Sequence, residues 1–267
     1  MMRSVWSLGA AGALLMGMMM AYGCGPDSSD PADNGSGGTD ETGGAGNETG
    51  GNEETGGGGN EDGCAVVSSP LMTDFSDLTD GTTWSSGDKK GWASDILGGT
   101  FHYQATDGVP LDVTITNGGA NLAATIAPGD YTGFGFYFDT NDFLCWDASA
   151  YAGISFTAIG DIGNTEMQVQ VQQTSNYPND DAKGQCDYGG VEDDKWDLCT
   201  NAYYIVDGVV EDEPLEVKMP WTELTGGQPI VDVTPESLVG IQFQFNCGDE
   251  GECPLNIVID DLGFYTE

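Results

Sequence analysis

Side-chain amides and aromatic rings recur in this chain at a spacing of two. Gln168, Gln170 and Gln172 alternate with Met167, Val169 and Val171. Gln242, Gln244 and Asn246 alternate with Ile241, Phe243 and Phe245, and Gly133, Gly135 and Tyr137 with Phe134, Phe136 and Phe138. On a strand that spacing puts one set on each face. An amide both donates and accepts hydrogen bonds, and an aromatic ring covers the C–H face of a pyranose. A single Gln on such a face is an ordinary solvent-facing residue; three strands with such polar or glycine-bearing faces suit a ligand rich in hydroxyls. Glycine in mid-strand often marks a close approach, so Tyr137 is expected to offer its ring beside a gap left by Gly135. The amides are expected to face solvent, so that losing one leaves the stability of the fold unchanged.

Other chemistries find little support. The chain has one His and carries Lys+Arg 6 against Asp+Glu 44, a net charge of −38. A phosphate backbone needs Lys and Arg to neutralise it, so nucleic acid is excluded as a partner, and anionic membrane surfaces are disfavoured. No G-x-S-x-G, H-E-x-x-H or P-loop occurs. Glu192, Asp193, Asp194 and Asp197, and Glu211, Asp212 and Glu213, form dense acidic runs in polar sequence. Paired carboxylates serve glycoside hydrolysis, but a catalytic acid needs an apolar pocket to raise its pKa, and these runs offer none. The expectation is a protein without catalysis, with a glycosidase or lyase as an alternative.

The alternating residues must be held by strands. Strands are expected at 101–106, 111–116, 121–127, 131–138, 153–159, 166–173, 203–207, 214–219, 239–246 and 255–265. No window has the apolar period of a helix of twelve or more residues. Strands with one apolar and one polar face belong to sheets buried on one side. Two antiparallel sheets of that kind pack as an all-β sandwich.

The sandwich is expected to occupy 64–267. Residues 1–23 read as a signal peptide, with Arg3 as the only charge before an apolar run. The following Cys24 resembles the lipobox Cys of bacterial lipoproteins, which is acylated; an ordinary signal peptide or a retained membrane helix are the alternatives. Gly25 after it is not the Asp that retains some bacterial lipoproteins at the inner membrane. The expected location is therefore the bacterial cell envelope, lipid-anchored at the outer membrane or cell surface. Residues 24–63 are rich in Gly, Asp and Glu and contain no aromatic or large aliphatic residue. Such a segment buries too little apolar surface to offset the entropy of ordering and reads as a tether. Six Cys lie in 64–267, which behind a signal sequence implies disulfides. Proximity pairs Cys186 with Cys199 and Cys247 with Cys253, leaving Cys64 with Cys145, among fifteen possible connectivities.

Several short strings then resemble a known group. Leu238-Val239-Gly240-Ile241-Gln242-Phe243-Gln244-Phe245, followed by Ile257-Val258-Ile259-Asp260-Asp261-Leu262-Gly263-Phe264-Tyr265, resembles the end of a galactose-binding-domain-like jelly roll. It is similar to secreted carbohydrate-binding modules around family 11. Asp147-Ala148-Ser149-Ala150-Tyr151-Ala152-Gly153-Ile154-Ser155-Phe156, Pro220-Trp221-Thr222-Glu223-Leu224 and Asp74-Phe75-Ser76-Asp77 resemble other motifs of that group, with Ser76 where an acid is usual.

The resemblance implies a jelly roll that binds a neutral polysaccharide. The implied ligand cleft takes in His102, Gln104, Tyr137, Gln170, Gln172, Gln242 and Gln244. Trp84, Trp92 or Trp196 would supply a stacking platform, with core plugs at the domain entry an equal reading for Trp84 and Trp92, while Trp146 and Trp221 belong to the core. The resemblance also implies a structural Ca²⁺ joining the first strand to the last through Asp74 and Asp260 or Asp261, completed by backbone carbonyls. Relatives of this shape include proteins that bind no sugar, so a calcium-stiffened structural or adhesive envelope protein is the second reading.

Overall fold

The computed structural model describes residues 63–76, 78–84, 98–139 and 144–267. The signal peptide, Cys24, the tether up to residue 62, Asp77 and Trp92 lie outside the described residues. The fold is an all-β sandwich of two seven-stranded sheets, as the alternation predicts.

The first sheet holds the amide-bearing strands. Its strands are β1 (Ala65–Val66), β4 (Thr100–Gln104), β7 (Tyr131–Tyr137), β8 (Trp146–Asp147), β10 (Thr165–Gln173), β11 (Ala202–Val206) and β13 (Leu238–Cys247). Five of them lie antiparallel in the order β4-β7-β13-β10-β11, and β8 adjoins the start of β13 with β1 parallel beside it. The second sheet holds β2 (Leu71–Thr73), β3 (Thr83–Trp84), β5 (Asp112–Thr116), β6 (Gly119–Ile126), β9 (Gly153–Asp161), β12 (Leu215–Pro220) and β14 (Cys253–Tyr265). It runs β12-β9-β14-β6-β5-β3, with β2 against the far end of β14. The only α-helix among the described residues is the single turn Lys195–Leu198.

The ten expected strands all form, displaced at their ends by three residues or fewer. The four strands that were not expected, β1, β2, β3 and β8, are two or three residues long, too short to show a period. The apolar sets named above meet between the sheets. Phe134 stacks on Phe243 within the first sheet, ring centroids 5.2 Å apart, and Phe156 of the second sheet meets Phe243 edge-on at 5.4 Å. Such pairs add to the area that the rings bury. Trp146 is buried and stacks on Phe138 at 5.3 Å. Trp221 is half-buried against Phe264 and donates from Nε1 to the Tyr151 carbonyl at 2.8 Å.

Three disulfides close the fold, Cys64–Cys145, Cys186–Cys199 and Cys247–Cys253. The first ties the start of β1 to the residue before β8. The second closes a strap, residues 174–201, that connects β10 to β11 across the outer face of the first sheet. The third joins the end of β13 to the start of β14.

Candidate functional site

The outer face of the first sheet is set by strand register. Gln242 lies opposite Gly135 on one side and Gln170 on the other, and Gln244 lies likewise between Gly133 and Gln168. Directly opposed residues share a face, so β10 and β13 place five Gln on one surface. Their side chains join in a ladder. Gln172 Nε2 donates to Gln242 Oε1 at 3.0 Å, Gln242 Nε2 to Gln170 Oε1 at 2.6 Å, and Gln170 Nε2 to Gln244 Oε1 at 3.1 Å. Gln244 Nε2 then donates to Asn246 Oδ1 at 2.7 Å. Gln168 donates to Glu166, and Asn201 donates to Gln170.

The amides are therefore not the free solvent-facing groups expected from sequence. Gln172 is 3% exposed and Gln242 8%, and each hydrogen bond holds a side chain that a buried neighbour needs. Gln170, Gln244 and Gln168 remain half-buried and reachable.

The edge strand β4 reverses the sequence expectation. His102 lies opposite Phe134 and Gln104 opposite Thr132, so both stand on the side that faces the second sheet. His102 Nδ1 sits 3.3 Å from the Leu111 carbonyl, and Gln104 is exposed at the sheet margin. Neither joins the amide face. Phe101 and Tyr103 take their place, opposite Gly135 and Gly133. A Cβ on Gly133 would lie 2.5 Å from Tyr103 Cζ, and one on Gly135 would lie 2.4 Å from Phe101 Cζ. The two rings thus lie across the glycine backbone, and the gap expected beside Tyr137 is filled by Phe101. The Tyr103 hydroxyl reaches β13 and donates to Gln244 Oε1 at 3.3 Å. Burial pushes the Tyr103 hydroxyl well above the usual range, with Tyr131 adding to it, so it stays a neutral donor.

Tyr137 is on the face but does not present a free ring. Phe101 stacks on it, centroids 4.6 Å apart, and Lys183 Nζ lies 4.9 Å from its centroid. Its hydroxyl is 3.0 Å from that of Tyr177. Trp196 is 39% exposed and meets Tyr177 edge-on at 6.1 Å, on the strap rather than over the ladder. Trp84 belongs to β3 in the second sheet. Phe101, Tyr103, Tyr177 and Asn201 were missed by sequence reasoning. A signal existed for the first two: rings two apart in one strand and glycines two apart in another are complementary when paired.

The acids expected at a metal come together only in part. β2 pairs with β14 beside Asp74, where β14 bulges between Asp260 and Gly263 and Asp261 takes a left-handed φ of 51°. Burial raises the Asp260 pKa, and the charges of Asp261 and Asp74 add to it. Asp74 is lowered instead, by hydrogen bonds from the Ser76 hydroxyl and backbone. This crowding of negative charge is one that a cation would relieve. Among the described residues no three His, Cys, Asp or Glu side chains converge as a metal cage, so backbone carbonyls would have to supply most ligands.

No family model matches the chain, and no curated protein matches it. The solved structures it is similar to include carbohydrate-binding modules and, at 10% identity over 74% of this chain and 26% of that one with a TM-score of 0.42, an agarase, AgWH50C. The family 11 module of the cellulosomal cellulase Lic26A-Cel5E of Clostridium thermocellum is 11% identical, over 74% of this chain and 94% of that one, with a TM-score of 0.46. The family 11 module from Clostridium thermocellum in complex with a β-1,3-1,4-mixed-linked tetrasaccharide is 12% identical, over 69% and 96%, with a TM-score of 0.44. The family 30 module of the cellulosomal cellulase Cel9D-Cel44B of Clostridium thermocellum is 15% identical, over 73% and 97%, with a TM-score of 0.42.

Proposed function

We propose that the outer face of the first sheet binds a neutral polysaccharide without catalysis. The observation that carries this reading is the pair of rings, Phe101 and Tyr103, laid over Gly135 and Gly133 beside the amide ladder. Their centroids are 6.1 Å apart with planes tilted by 30°. A flat, extended glycan would stack its C–H faces on the rings and turn its hydroxyls toward Gln170, Gln168 and Gln244. Hydrolysis needs a pair of carboxylates across the scissile bond, whereas the carboxylates at this face are engaged, Glu166 by Gln168 and Asp139 and Asp181 by Lys183. The chain's acidity favours a neutral ligand over an anionic one.

A glycan-array screen of the whole chain tests the proposal, paired with the Tyr103→Ala variant. Binding to a neutral glycan that the variant loses is the expected result. Binding that Tyr103→Ala leaves intact would place the site elsewhere, and an array without any binding would remove the proposal. The crowded pair Asp74 and Asp260 favours the second reading, a calcium-stiffened structural or adhesive protein. A rise in melting temperature with Ca²⁺ and no glycan binding would select it. The membrane attachment is a further part of the proposal: Cys24→Ala is expected to release the protein from bacterial membranes, and a variant that stays with the membrane fraction would refute acylation at Cys24.

A further inference from the structure

The candidate face is closed at one end. Along the ladder, exposure rises from 3% at Gln172 and 8% at Gln242 to half-buried Gln244 and exposed Glu166. The rings follow the same direction, from Tyr177, 6% exposed, to half-buried Tyr103 and Tyr131. The strap, residues 174–201, causes the closure. Tyr177 hydrogen-bonds Tyr137, and Lys183 Nζ lies over the Tyr137 ring, 4.9 Å from its centroid. Lys183 is held there by Asp139 at 3.4 Å and Asp181 at 3.5 Å. Lys195 binds Asp180, and Cys186–Cys199 staples the strap to itself. At the same end two buried amide oxygens, Gln172 Oε1 and Asn201 Oδ1, have no hydrogen-bond partner among the described residues.

We infer that this face receives the end of a glycan chain and not its interior. The inference rests on the polysaccharide reading above. A chain laid over Tyr103 and Phe101 runs along β4 and β7 toward Tyr137, where the strap stands in its path. It leaves freely past Tyr131 at the other end. An internal sugar would have to continue through Tyr177 and Lys183. A terminal sugar stops before them and carries one hydroxyl more than an internal one. The strap's cations are already neutralised by Asp139, Asp181 and Asp180, so the closed end attracts no anionic terminus.

Titration calorimetry of the whole chain tests this with mixed-linkage β-glucan as the polymer and its hexasaccharide as the short probe, at equal sugar concentration. Recognition of chain ends gives one site per hexasaccharide molecule and one per polymer molecule, so the polymer shows at least an order of magnitude fewer sites per sugar. Equal numbers of sites per sugar would overturn the inference while leaving the polysaccharide reading in place. Binding of neither probe would overturn the polysaccharide reading and the inference with it. Replacing Tyr177→Ala together with Lys183→Ala opens the strap and is expected to raise the number of polymer sites. A folded double variant, judged by its melt, with an unchanged site number would also overturn the inference.

Discussion

Gln170 is the hub of the ladder, and replacing it tests whether the amides are structural as well as exposed. Its Oε1 accepts from Gln242 at 2.6 Å and from Asn201 at 3.3 Å, and its Nε2 donates to Gln244 at 3.1 Å and Gln168 at 3.3 Å. Gln170→Ala removes all four bonds. Gln168, Gln244 and Asn201 are half-buried, so water replaces much of what they lose. Gln242 is 8% exposed and its amide donor is left inside without an acceptor. An orphaned buried group costs about 1–3 kcal/mol, so Gln170→Ala should destabilise the fold by about that amount. Gln244→Ala likewise leaves the buried Tyr103 hydroxyl without its acceptor and should also cost about 1–3 kcal/mol. Replacing Gln170, Gln172 and Gln242 together by Leu leaves no buried amide orphaned among them and should recover part of the loss. Urea unfolding at neutral pH reads the three variants. If Gln170→Ala lies within about 0.5 kcal/mol of the parent, the reasoning from the ladder fails.

Three further outcomes are expected. Gly133→Ala should cost roughly 1–3 kcal/mol through overpacking, and adding Tyr103→Ala should relieve part of it; additivity within about 0.5 kcal/mol in the double-mutant cycle would show that the ring does not rest on Gly133. Asp260→Asn should stabilise the protein in chelator at pH 7 by roughly 0.2–1 kcal/mol. The sign follows from the raised pKa: Asp260's contribution is fully present below the ordinary carboxylate range and is lost as pH rises through its folded value. With Ca²⁺ the same variant should instead be the less stable protein, and melts that respond identically in both buffers would argue against a metal held by Asp260. Opening the disulfides one at a time should cost about 4.5, 3 and 2 kcal/mol for Cys64–Cys145, Cys186–Cys199 and Cys247–Cys253, following the chain-entropy dependence on loop length; denaturant midpoints in a different order would refute that basis.

The sandwich was legible because its strands are long and patterned. Met167, Val169 and Val171, or Ile241, Phe243 and Phe245, fix their own inward face, since a slip of one residue would expose the whole set. β4 alternates too, but its apolar set does not face the second sheet. Phe101, Tyr103 and Ala105 occupy one side and His102 and Gln104 the other, and the apolar side is the outer one over most of the strand. The glycines of β7 decide this, because a ring finds its contact surface across a strand that lacks side chains there. That contact belongs to the pairing of β4 with β7, which a period within one strand does not contain. The closed end was illegible for a related reason. Tyr177 and Lys183 lie in sequence without a period, and only the fold of the strap brings them over Tyr137.

The bond between Cys64 and Cys145 has a mechanical consequence. A pull on the chain ahead of Cys64 passes through that residue before it reaches any strand. The two-residue strand β1 is too short to bear much load, but the covalent bond carries the tension past it to the start of β8, beside β13 in the sheet with the amide ladder. Residues 65–144 are enclosed by the link, a sequence separation of 81. Stretched from its ends, the oxidised domain withholds roughly 270 Å of contour length at about 3.3–3.6 Å per residue. Reduction returns that length, so the protein has two extensibilities set by one bond.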